Sequence, residues 1–92
     1  MKTTYVIRQI DAWNDGFWYW NDSFYIGEFK TAAQNVKQPF MKALKKLGIS
    51  FTRGTVYIAY VGDIGGDILE VRNRKTDEPY FAAIPLDTLN LT

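Results

Sequence analysis

Residues 38–49, QPFMKALKKLGI, decide how the rest of the chain is read. At about 100° per residue, Phe40, Ala43, Leu44 and Leu47 fall on one arc of a helix, with Val36 just upstream. Lys42, Lys45 and Lys46 fall on the opposite arc. Gly48 supplies a stop, because glycine at the position after the cap takes the left-handed conformation that ends a helix. Ile49 can then fold back onto Leu44. The remaining long segments read as strands, so this helix is the expected lid of a sheet, apolar toward it and basic toward water.

Upstream, Thr31 to Gln34 has the spacing of a capping box. Pro39 lies too deep for a helix begun at Thr31, where it would lose a backbone bond and clash with the preceding turn. The spacing therefore predicts a short turn over 32–36 and a helix from about Gln38, with Pro39 in its first turn.

Around the helix, alternation predicts the strands. Residues 4–10 are the first, with Tyr5 and Ile7 on one face and Val6, Arg8 and Ile10 on the other. Asn14-Asp15-Gly16 is a turn signal. Residues 17–20 then pair back as a second strand, and residues 24–29 continue it, either as one bent strand or as two. Gly27 marks a bulge or a close approach. Residues 55–61 form the next strand, with Val56, Ile58 and Tyr60 on one face. A glycine-rich loop over 62–67 leads to a strand over 68–73, with Leu69 and Val71 inward and Glu70 and Arg72 outward. RKTDEP (74–79) is a polar turn, and residues 80–84 close a meander. Pro85 points to an edge position for this last strand. The expected fold is α+β in two layers, an antiparallel sheet with one helix, in the order β-β(-β)-α-β-β-β. The hairpin and the meander form either one sheet or two.

Ninety-two residues make a single domain. Cysteine and histidine are both absent. This excludes disulfides, thiolate zinc sites, cysteine nucleophiles and serine–histidine arrangements. No phosphate loop or dinucleotide fingerprint is present. Asp63-Ile64-Gly65-Gly66-Asp67 lacks the dense oxygen ligands of a calcium loop. No metal, cofactor or catalytic residue is expected, and neither is an enzyme. The N-terminus has no apolar run of signal-peptide type, and no segment suits a membrane span, so the expected setting is cytoplasmic.

Net charge is +1, but it is uneven. The first 28 residues carry −2, the stretch from Phe29 to Gly62 carries +6 with no acid, and the remainder carries −3. The basic stretch holds Lys37, Lys42, Lys45, Lys46 and Arg53. It reads as a partner-binding face or as a solubilising helix surface. The aromatics Trp13, Phe17, Trp18, Tyr19, Trp20, Phe24 and Tyr25 are the second unusual feature. Alternation puts large rings on both faces of the sheet. Trp18, Trp20 and Tyr25 are thus candidates for a protein hot spot or for base stacking, unless they fill a small core. The face away from the helix is a binding surface, an oligomer interface or covered by loops.

DAWNDGFWYWNDSFYIGEF (11–29), KALKKLGI (42–49) and ILEVRNRKTDEPYFAAIPL (68–86) together resemble small proteins of phage and mobile-element genomes of Gram-positive bacteria. The shared pattern is a D-x-W…G-x-W-x-W-N-D core, a basic helix ending in glycine and a late T-x-E-P turn. The resemblance spans most of the chain. It implies an accessory protein that acts by binding a host protein, and it assigns no functional residue. Nucleic-acid binding through the lysines and aromatics is the alternative. A homodimer through an edge near residues 80–84, or through the aromatic face, is a third expectation.

Overall fold

The computed structural model describes residues 2–10, 23–61 and 68–86. The strand expected over 17–20, Trp18, Trp20 and the loop over 62–67 lie outside these residues. The described elements are β1 (Thr3–Ile10), β2 (Ser23–Thr31), α1 (Lys37–Lys46), β3 (Val56–Val61), β4 (Ile68–Asn73) and β5 (Pro79–Pro85). All five strands form one antiparallel sheet in the order β2-β1-β5-β4-β3. The fold is α+β, with α1 against one face.

β1 pairs with β2 from Thr3 against Thr31 to Ile10 against Ser23. On its other side β5 pairs with it, Tyr5 against Pro85 and Gln9 against Phe81. The last strand is therefore central, and the edges of the described sheet are β2 and β3. This corrects the edge position read from Pro85, and with it the dimer edge near residues 80–84. Pro85 stands at the final rung of β5, where its missing N–H interrupts no bond between two continuing strands.

The register puts Tyr5, Ile7, Leu69, Val71, Phe81 and Ala83 on one face, where they pack with Val36, Phe40 and Leu44 in a single cluster. Phe29 stacks between Tyr5 and Phe40, with centroids 5.2 and 6.1 Å away. The opposite face is buried as well. Val6, Ile68, Glu70, Ala82 and Ile84 are all 4% exposed or less. At these positions it is not a free surface. The outward placing of Glu70 is thus corrected. Strict alternation distinguishes the two faces of a strand but cannot tell that both are covered.

α1 begins one residue before the expected start, and Pro39 falls in its first turn, where a backbone N–H has no helical acceptor to lose. No turn precedes it. Residues 32–36 form an open connection with a bend at Gln34, and the Thr31 hydroxyl accepts from the Ala33 N–H rather than capping a helix. At the other end the Ile49 N–H reaches the Leu44 carbonyl and the Gly48 N–H reaches that of Lys45, each at 3.0 Å. With Gly48 at φ +82°, this is the Schellman pair expected of the sequence. Leu47 departs from its expected buried arc and is 44% exposed. It sits where the helix ends, and its side chain lies over Gly27 of β2, which offers no side chain to pack against. Next to Gly27 the β1–β2 register slips, so Ile26 is an extra residue on β2.

Candidate functional site

A helix is about 10 Å across, whereas five strands about 4.8 Å apart span about 19 Å. One helix therefore covers about half of this sheet. α1 packs chiefly toward β2. Over the rest, the chain returns through residues 49–51, and Phe51 stacks on Tyr80 and meets Phe81 edge-on. Met41, Ile49, Phe51, Val56, Ile58 and Tyr80 pack on the core while remaining partly exposed.

Between α1 and residues 49–51 this leaves a groove of about 600 Å³, with Met41, Ile49 and Phe51 as its apolar lining and Lys37, Lys42 and Lys45 among its borders. The lysine alkyl stems extend the apolar surface while the ammonium groups stay in water. Lys45 also stands in the last turn of α1, where a cation complements the helix dipole. Lys37 projects over the Tyr60 ring on β3, its Nζ 5.4 Å from the centroid. On the far side of α1 a second groove of about 410 Å³ involves Lys42, Lys46 and Leu47, with Glu28 and Lys30 from β2.

Three of the candidate lysines therefore border one groove, and Lys46 faces the other. Arg53 is exposed in the turn before β3 and lines neither. Tyr25 is 58% exposed. It stands opposite Arg8 on β2, on the sheet face away from α1, and its hydroxyl donates to Glu28 Oε2 at 3.5 Å. The described aromatic candidate and the lysines thus lie on opposite sides of the sheet. Met41, Phe51 and Tyr60 enter the site without having been singled out. Tyr60 was legible, since it shares a face with Val56 and Ile58. Phe51 was not, because nothing in the residues after Gly48 says that the chain doubles back over β5.

The face away from α1 holds an ionic pair. Arg72 Nε donates to Glu70 Oε1 at 2.6 Å, and Nη2 reaches the same oxygen. Tyr57, opposite Arg72 in register, donates its hydroxyl to Asp77 Oδ1. Burial raises the Glu70 pKa, and the hydrogen bond and charge of Arg72 oppose that rise. At 1% exposure Glu70 is closed to a substrate, so the pair is structural. Among the described residues no three acidic side chains converge as metal ligands, and no helix is long and apolar enough to cross a membrane.

No family model matches the chain, and no curated protein and no solved structure matches it.

Proposed function

We propose that this is a non-enzymatic binding protein that takes an acidic protein partner on the lysine-bordered groove beside α1. The observation that carries this reading is the apolar lining of Met41, Ile49 and Phe51 between Lys37, Lys42 and Lys45. Apolar contact supplies the affinity, and the lysines select acidic partners and speed the encounter. The resemblance to phage and mobile-element proteins makes a host protein the partner's source. Nucleic acid suits this surface less well. Stacking needs open ring faces beside the cations, whereas Lys37 covers the Tyr60 ring, Phe51 is stacked on Tyr80, and Tyr25 lies across the sheet.

The test is an NMR titration of the isotope-labelled chain with two probes. One is a capped peptide of alternating glutamate and valine, about ten residues long. The other is a single-stranded oligonucleotide. An oligonucleotide held by three lysines alone loses roughly twentyfold in affinity over a fourfold rise in salt. The expected result is peptide binding that moves the Lys37, Met41, Lys42 and Lys45 resonances and falls less steeply with salt. Tighter binding of the oligonucleotide at both salt concentrations, or no perturbation of this face by the peptide, overturns the reading.

A further inference from the structure

The two edges of the sheet differ. β2 has the features that discourage pairing with another chain: a bulge at Ile26, a glycine at Gly27, and charges at Glu28 and Lys30. β3 has none of them. Its sequence, VYIAYV, has no charge, proline or glycine, and its register with β4 runs unbroken from Val56 against Asn73 to Val61 against Ile68. Such an edge is a template for an added strand.

The surroundings of that edge indicate what it accepts. Lys37 stands over Tyr60 at one end. At the other end the Arg74 Nη2 donates to the Val56 carbonyl at 3.4 Å and the Arg74 N–H donates to the Thr55 carbonyl. The nearby carboxylate of Asp77 is engaged by the Tyr57 hydroxyl. Lys37, which stands over Tyr60, also borders the groove beside α1, and Phe51, which lines that groove, lines a neighbouring hollow together with Val56. A second copy would bring its own Lys37 and Arg74 against these cations, and like charges facing each other oppose pairing.

We infer that the β3 edge receives an extended acidic segment of the protein partner as a sixth strand, with carboxylates toward Lys37 and Arg74 and the chain beyond them running on to the apolar lining of Met41, Ile49 and Phe51. This rests on the proposed binding reading and adds its mode. Main-chain bonds along β3 add to the apolar contact in the groove, and the carboxylates facing Lys37 and Arg74 add to the selectivity.

The experiment keeps the protein unchanged and alters the peptide. The glutamate–valine peptide is compared with two versions, N-methylated on its odd or on its even residues. An added strand pairs through one edge only, so the two versions should differ by about tenfold or more in affinity. The β3 amides should also gain protection from hydrogen exchange when the parent peptide binds. If both methylated versions bind as the parent does, or the β3 amides stay unprotected, strand addition is overturned while the groove reading stands. If the parent peptide leaves the groove unperturbed, both fall. Protection of β3 that rises with protein concentration in the absence of peptide assigns the edge to a second copy and overturns the acidic occupant.

Discussion

Lys37 Nζ lies 5.4 Å from the centre of the Tyr60 ring, which ties the first residue of α1 to the exposed aromatic of the β3 edge. The Tyr60 hydroxyl also lies 3.5 Å from the Asn35 side-chain oxygen, and that oxygen accepts the Lys37 N–H at 3.1 Å. At an exposed site such a cation–π contact contributes about 0.5–1 kcal/mol. A double-mutant cycle with Lys37→Gln and Tyr60→Leu, read by urea unfolding, should return a coupling of that size. A coupling near zero would mean that the two side chains meet without mutual stabilisation.

The core depends on α1 through Phe40 and Leu44, both fully buried. Phe40→Ala removes the ring that stacks on Phe29 and leaves a cavity between helix and sheet. The expected loss is about 3–5 kcal/mol. For a domain of this size that is a large share of total stability, so the variant should be partly unfolded at ambient temperature. Circular dichroism and urea titration measure it.

Gly48 and Gly27 predict opposite sensitivities. Gly48 stands at φ +82° with open space where a Cβ would go, so Gly48→Ala meets backbone strain alone and should cost about 1 kcal/mol. At Gly27 a Cβ would stand 3.2 Å from Leu47 Cδ1, the far end of an exposed side chain that can swing aside. Alanine also suits a strand better than glycine, so Gly27→Ala should stay within about 0.5 kcal/mol of the parent. Thermal unfolding of the two variants separates the cases.

Glu70 gives the molecule a pH dependence whose sign follows from burial. Its folded pKa lies above the ordinary carboxylate value of 4.5 because desolvation outweighs the hydrogen bond and charge of Arg72. Folding therefore favours the protonated form. The stability this brings is complete below 4.5 and is lost as pH rises through the folded value. Glu70→Gln cannot titrate. Its unfolding free energy should gain on the parent as pH rises from below 4.5 toward neutrality. Urea unfolding over a pH series checks this, and a parent that instead gains on the variant as pH rises would mean that the pairing with Arg72 dominates.

Much of the fold was written locally. The spacing of Phe40 and Leu44, the proline in the first turn and Gly48 after the last one define α1 within a residue. Alternation located β1, β3 and β4 nearly to their ends, and Gly27 marked the bulge. These features act over a few residues, through backbone sterics and the period of side-chain placement, so they can be read in one dimension. The basic groove was half legible, since the lysines and their helix face were evident. Its apolar lining was not, because Phe51 and Met41 become neighbours only when the chain doubles back after Gly48.

Tertiary structure alone decided which strands are central and which faces are closed. Residues 79–85 slot between β1 and β4 because pairing there satisfies backbone groups on both sides, a non-local gain that Pro85 at the last rung does not prevent. The same insertion buries Glu70 beside Arg72 and leaves β3 at an edge of the described sheet, while the β1–β2 register sets Tyr25 on the side away from the lysines. No local propensity encodes these outcomes. They follow from the order of strands in the sheet, which is set by burying two faces at once.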